Sequence, residues 1–164
     1  QAVKAFNFVP YFCNSRDGEK KSEDYKPFPV PTKLHQESLC AVLNSNLFYS
    51  WFVSYSDVYH CGREIILGFP ADLSAMFSLL KSEIHIVINR YMQDILKNKV
   101  RREVPYRNTG VVVYDEFYPR KSKPIIDEID ELLAKHYGFT EEELDFIINY
   151  DIKYRMGDKL NDTE

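Results

Sequence analysis

The sequence predicts an α+β fold: mixed strands and short helices first, then one long amphipathic helix, a β-hairpin and a C-terminal antiparallel helix pair. Three observations carry this. Apolar residues recur at steps of three and four from Leu73 to Ile95. Residues 100–118 alternate, are rich in Val and Tyr, and hold Asn108-Thr109-Gly110 at their middle. Thr140 to Glu143 has the form of a capping box ahead of an apolar run. At 164 residues the chain suits one domain with its own core. Three parts are expected within it: residues 1–71, a connecting helix over 72–98, and a hairpin with helix pair over 99–164.

The first stretch, Ala5 to Cys13, is rich in Phe, Tyr and Val around Pro10. It reads as an edge strand, because proline cannot donate to a central ladder. Residues 14–26 are polar and charged, with little to bury, and a mobile loop is expected there. Pro27, Pro29 and Pro31 keep the next segment extended. A helix starts near Gln36, with Leu39, Val42 and Leu43 on one face, and breaks at Asn44-Ser45-Asn46. Residues 47–53 resume as helix, although periodicity alone does not separate helix from strand in so short a run. Glu64-Ile65-Ile66-Leu67 reads as a short strand, closed by Gly68 and Phe69-Pro70.

Asp72 is the expected N-cap of the longest helix, whose buried stripe is Leu73, Met76, Phe77, Leu80, Ile84, Val87, Ile88, Tyr91 and Ile95. At 1.5 Å per residue it is ~36 Å long. The hairpin strands are 100–106 and 111–117, with Pro105 placing the first at an edge. Ser122 is the expected cap of a helix that accepts Pro124 in its first turn. Ile125, Ile129, Leu132 and Leu133 form its inner face, and Gly138 stops it. In the last helix Phe139 and Leu144 are placed as a hydrophobic staple, and three glutamates suit the positive end of the dipole. That helix is expected to run toward Tyr154, with Lys153 and Arg155 complementing its negative end.

The net charge of −4 hides a polarised chain. Residues 1–96 carry 9 basic and 10 acidic side chains, 97–123 carry 8 and 3, and 124–164 carry 4 and 12. The middle segment, with Arg101, Arg102, Arg107, Arg120, Lys121 and Lys123, has the footprint of a phosphate-binding surface; a solvated basic connector is the alternative. Aromatic residues make up 15%, which serves either a core or stacking on bases.

Several chemistries find no support. Cys13, Cys40 and Cys61 are odd in number and contain no C-x-x-C, so reduced thiols of a cytoplasmic protein are expected. No apolar run is long enough to span a bilayer. Glu19-Lys20-Lys21 beside Asp17 has a nuclease-like E-x-K, but it lies in a short polar loop that would not fix metal geometry. His35, His60, Cys61, His85 and His136 lack the spacing of a metal site, and Ser38 and Cys40 lack a partner for nucleophilic catalysis. The opening residue, Gln1, leads to the expectation of a chain cut from something longer.

Two stretches carry a resemblance. The first is Leu43-Asn44-Ser45-Asn46-Leu47-Phe48-Tyr49-Ser50-Trp51-Phe52, followed by Tyr55-Ser56-Asp57 and by Arg63-Glu64-Ile65 to Phe69-Pro70. The second is Ser122-Lys123-Pro124-Ile125-Ile126-Asp127-Glu128-Ile129-Asp130, then Thr140 to Asp145, ending at Ile148 to Gly157. Together they resemble the C-terminal target-recognition region of adenine-specific (N6) DNA methyltransferases and of type II restriction-modification enzymes with a fused methylase. The resemblance implies double-stranded DNA as partner and a methyltransferase domain upstream in the same chain, which uses S-adenosylmethionine. The chain itself has no Pro-Pro pair and no G-x-G, so neither the catalytic motif of that family nor its cofactor loop is present, and no cofactor is expected here. The polar segment 56–63 then becomes the candidate for base contact, through Asp57, Tyr59, His60 and Arg63. Arg63 paired with a nearby carboxylate is the plainer alternative.

The function expected is DNA target recognition by a non-catalytic part. A docking module that packs on the methylase domain or another subunit is the alternative, suggested by the acidic outside and apolar inside of the C-terminal helices. A continuous positive groove from Arg63 to the 101–123 cluster would favour the first, and scattered charge beside an exposed apolar patch the second.

Overall fold

The computed structural model describes residues 5–22 and 25–150, with the side chains of 73, 74 and 76–81 outside the description. The helical body starts where the proline-rich segment ends. Thr32 stays extended and its hydroxyl accepts from the His35 N–H, opening α1 (Lys33–Asn44) three residues before the expected Gln36. Ser45 caps α2 (Asn46–Tyr55) through the Phe48 N–H while its own N–H and hydroxyl return to the Val42 carbonyl, so one serine ends one helix and starts the next. Asp72 caps α4 (Leu73–Lys97) by accepting from the Ala75 N–H, as expected. The stripe residues Ile84, Val87, Ile88, Tyr91 and Ile95 are all buried. Leu73, Met76, Phe77 and Leu80 lie outside the described side chains.

After α4 come β3 (Val100–Tyr106) and β4 (Gly110–Glu116), a hairpin within one residue of the expected bounds. A 3-10 turn (Pro119–Ser122) leads into α5 (Lys123–Tyr137), which Gly138 closes with φ 70°. Thr140 and Glu143 form the reciprocal capping box at the start of α6 (Glu141–Asn149). The expected extension toward Tyr154, with Lys153 and Arg155, lies outside the described residues.

Helices α1 and α5 both pack on α4; α2 packs on α1 and α5, and α6 lies against α2 and α5. Val42, Phe48, Phe52, Ile84, Ile88, Tyr91, Ile129 and Leu133 meet at the centre, each almost fully buried and each stabilising the body by about 1.5–3 kcal/mol. On α5, Ile126, Ile129 and Leu133 are buried, whereas Ile125 and Leu132 are partly so.

Polar side chains tie the body as firmly as apolar ones. Asn44, buried, donates to the Ala5 and Cys40 carbonyls at 3.0 and 2.8 Å and accepts from the Tyr91 hydroxyl at 3.1 Å. Asp130, also buried, accepts from the Asn46 N–H (3.1 Å), the Asn46 side-chain amide (2.7 Å) and the Leu47 N–H (3.0 Å) at the N-terminus of α2.

The sheet has the order β2-β1-β4-β3, all pairs antiparallel, with β1 (Phe12–Asn14) and β2 (Gly18–Glu19). Among the described residues no helix packs extensively on any strand. A tilted cluster of Phe6, Phe8 and Phe117, with centroids 4.6 to 6.0 Å apart, joins its base to the body.

Four expectations are corrected. The edge strand over 5–13 is a strand of Phe12–Asn14 only, and it lies inside the sheet with β2 and β4 on its flanks; Pro10 precedes it and breaks no ladder. The stretch after it is no featureless loop: Asn14 Oδ1 accepts from the Arg16 and Asp17 N–H groups, and the chain returns as β2. Residues 64–67 are not a strand but belong to the helix α3 (Arg63–Gly68). There the Trp51 indole donates to the Ile65 carbonyl, and Ile65 and Ile66 both pack on the core. Ser122 does not cap α5 with its side chain, because its hydroxyl donates to Asp94 Oδ2 on α4 at 2.6 Å.

Candidate nucleic-acid interface

The segment 56–63 forms a tight corner between α2 and α3. Asp57 Oδ1 accepts from the Tyr59 and His60 N–H groups at 2.9 and 2.7 Å, while Oδ2 lies 2.7 Å from His60 Nδ1. Those contacts with His60 and Tyr59 hold the Asp57 carboxyl down at about 2. Asp57 is thus committed to shaping the corner. Val58, whose N–H donates to the Ser56 hydroxyl, takes φ 61°. A β-branched residue with positive φ is strained, and the surrounding hydrogen bonds keep it there. The corner presents Tyr59 outward, 79% exposed, with the His60 ring edge-on to it. Arg63 begins α3 and lies over the Phe28 ring, 5.2 Å from its centroid, with no carboxylate partner among the described residues.

The basic segment is spread along the projecting hairpin and its exit. In β3 the side chains alternate, so Arg101 and Arg102 face opposite sides. Arg101 reaches its cross-strand partner Asp115 at 2.7 Å and covers the Tyr11 ring at 3.8 Å. Lys99 binds the same carboxylate at 2.8 Å. Burial pushes the Asp115 carboxyl up, but Lys99 and Arg101 outweigh it and hold it below the usual range. Arg102 donates to Glu116 and to the Tyr118 hydroxyl, and Tyr118 also donates to Glu116. The Tyr118 hydroxyl, then Arg102, holds Glu116 below the usual carboxylate range. Lys121 lies over the Tyr118 ring, and Arg120 is exposed beside it in the 3-10 turn. Arg107 occupies the β3–β4 turn. Lys123 differs: it pairs with Asp127 one turn along α5 and belongs to the helical body.

The two candidate groups therefore stand on separate elements. Asp57, Tyr59, His60 and Arg63 share one corner, while five of the six phosphate candidates follow β3, its turn and the exit from β4. No hydrogen bond, ion pair or ring contact joins the groups among the described residues, and carboxylates are interspersed with the cations. What sequence reasoning missed are the supports: the strained Val58, the buried Asp115, Tyr11 beneath Arg101, and Tyr118, which accepts from Arg102 and lies beneath Lys121. The hairpin register that sets Arg101 opposite Asp115 is local to the hairpin, but only the fold supplies Tyr11. Among the described residues no group of three or more His, Cys, Asp or Glu is disposed to hold a metal ion. Among them, too, no helix is long and apolar enough to cross a membrane. Comparison with protein-family models, with curated proteins and with solved structures returns no match.

Proposed function

We propose that the chain serves DNA target recognition, as a non-catalytic C-terminal part of an adenine-specific methyltransferase of the restriction-modification type. The observation that carries this reading is the sheet that stands off the helical body with Arg101 and Arg102 on its two faces. Within the four-stranded sheet β3 is an edge strand, and it presents Arg101 on one face and Arg102 on the other, where each can meet a backbone phosphate. Arg120 and Lys121 at its exit extend the grip. The 56–63 corner supplies a preorganised second contact through Tyr59 and Arg63. The catalytic domain and its S-adenosylmethionine would lie upstream in the same chain.

The test is binding to mixed-sequence duplex across a salt series. If Arg101, Arg102, Arg120 and Lys121 each neutralise a phosphate in full, log affinity falls by about 3.6 per log unit of salt, and the Arg101/Arg102→Ala double variant lowers that slope by up to about 1.8. Absence of binding at low salt removes the reading.

Two observations favour the docking alternative: the basic side chains stand on separate elements among carboxylates, and an apolar groove lies open on α6. Phe139, Phe146 and Ile147 line an open groove of about 380 Å³ on α6, rimmed by Glu142 and Glu143. Phe146 is 43% exposed. An apolar floor with an acidic rim suits an amphipathic basic helix of the upstream methylase domain. Phe146→Asp would break that association and leave duplex binding intact.

A further inference from the structure

The end of the sheet farthest from the body is built from two turns side by side. Residues 15–17 join β1 to β2, and residues 107–109 join β3 to β4. The register Asn14↔Val112 and Tyr106↔Gly110 places both at the same end. Ser15 locks them together: its N–H and hydroxyl reach the Val111 carbonyl at 2.9 and 3.2 Å, and its hydroxyl accepts from the Val111 N–H at 3.0 Å. Gly110, with φ 71°, lies so close to Ser15 that a Cβ would stand 2.8 Å from the serine Cβ. The tip is thus rigid without a core beneath it.

Its outward groups divide into two kinds. Arg16 is bound at 2.9 Å through both Nε and Nη2 to Asp17, which Lys20 also contacts, so these charges are spent on one another. Arg107 and Asn108 are exposed, and neither side chain is bonded among the described residues. Tyr106, 54% exposed, stands next to them. An unpaired arginine and an unpaired amide in succession, on a stiff and exposed turn, have the donor–acceptor forms that recognise guanine and adenine edges.

Building on the DNA reading above, we infer that the hairpin tip is a base-reading element. Arg107 donates bidentately to the N7 and O6 atoms of a guanine, and Asn108 pairs with the N6 and N7 atoms of an adenine close to it. Arg107 then reads sequence rather than holding a phosphate, which separates it from Arg101 and Arg102 farther down the strand. At ~3.4 Å per residue, Arg102 lies roughly 14 Å behind Tyr106, beyond the ~8.5 Å depth of the groove and level with its phosphate rim.

The experiment is selection by the chain from duplexes with a randomised centre, followed by affinities for the selected site. The wild-type chain is expected to enrich a site that contains G·C and A·T pairs in fixed relation. Arg107→Ala should relax the guanine and Asn108→Ala the adenine, each by about tenfold to a hundredfold in discrimination. Arg101→Ala and Arg102→Ala should weaken all duplexes alike. Both tip side chains are exposed, and circular dichroism of the variants verifies an unchanged fold. The same sequence as duplex RNA should not compete, because its deep, narrow major groove excludes the ribbon. Enrichment of an unchanged site by Arg107→Ala/Asn108→Ala overturns the inference and leaves the DNA reading standing. So does duplex binding by the wild type with no sequence enriched, and so does equal competition by RNA. No duplex binding at any salt overturns both.

Discussion

Asp130 makes the stability of the helical body depend on pH in an unusual direction. Its carboxylate is 2% exposed and faces the start of α2. Burial pushes its pKa up to about 6, while the Leu47 and Asn46 N–H groups and the Asn46 amide pull the other way. The folded chain therefore holds this proton to a higher pH than the unfolded chain, whose aspartate titrates near ~4. Between those values the folded state carries more protons, so the stabilisation by this group is fully present below ~4 and is lost as pH rises through about 6. A shift of about two units corresponds to about 3 kcal/mol lost by pH 7. Asp57, Asp115 and Glu116 are shifted downward, so their stabilisation is present above ~4 and is lost only as pH falls below it. The window from 4.5 to 7 isolates Asp130 from them. About 2 kcal/mol of that loss falls inside the window, and urea unfolding followed by Trp51 fluorescence reads it: with a slope near 2 kcal/mol per molar, the midpoint drops by about 1 M. Asp130→Asn, which cannot ionise, should hold its midpoint level. A wild-type midpoint that stays flat or rises from pH 4.5 to 7 would refute the reasoning, as would an Asn variant that keeps the wild-type slope.

Three further outcomes follow from buried groups and backbone geometry. Asn44→Ala leaves the buried Tyr91 hydroxyl without its acceptor and removes the amide that donates to the Cys40 and Ala5 carbonyls. It should cost about 2–4 kcal/mol in urea unfolding. Gly110→Ala combines a positive φ with the contact to Ser15, for about 1–2 kcal/mol or more, and hydrogen exchange should show the loss confined to the sheet. Burial pushes the Cys40 thiol up to about 12, so alkylation at pH 8 should modify Cys13 and Cys61 in the native chain and Cys40 only after unfolding.

The parts of the fold that rest on neighbours in sequence were legible. The Asp72 and Thr140 caps, the Gly138 stop and the α4 stripe from Ile84 to Ile95 follow from local spacing, and the structure repeats them. Elements decided by distant contacts were not. Residues 64–67 hold two isoleucines, which a strand would also favour; the Trp51 indole and the core below α3 settle the matter from elsewhere in the chain. Ser122 has the right residue type for a cap, yet Asp94, 28 residues away in sequence, takes its proton. Asn44-Ser45-Asn46 read only as a break, because the partners that turn it into a junction, Tyr91 and Asp130, come from two other helices. The candidate site divides in the same way. The hairpin that carries Arg101 and Arg102 was legible, but the carboxylates that hold them, the ring under Arg101 and the strain at Val58 arise only in the folded chain.

The resemblance-bearing stretches also meet in space, since Asn46 of the first bonds Asp127 and Asp130 of the second. These residues build the body, so the pattern bears on the platform, and in the proposed reading the phosphate contacts fall to the sheet. Within that sheet the two neighbouring arginines are not equally free to leave their partners. Arg101 shares Asp115 with Lys99, and that carboxylate side chain is only 2% exposed. Moving Arg101 to a phosphate would leave a buried charge with less compensation, which is costly. Arg102 holds Glu116, whose side chain is 36% exposed and is readily rehydrated, so exchanging it for a phosphate costs little. Arg102→Ala should therefore remove about 0.9 from the salt slope of duplex binding, one full phosphate contact. Arg101→Ala should lower the slope less and should also lower the urea midpoint, because Asp115 loses one of its two cations. The reverse order, with Arg101 dominating the slope and Arg102 affecting only stability, would show that burial of the partner does not govern which arginine is released to DNA.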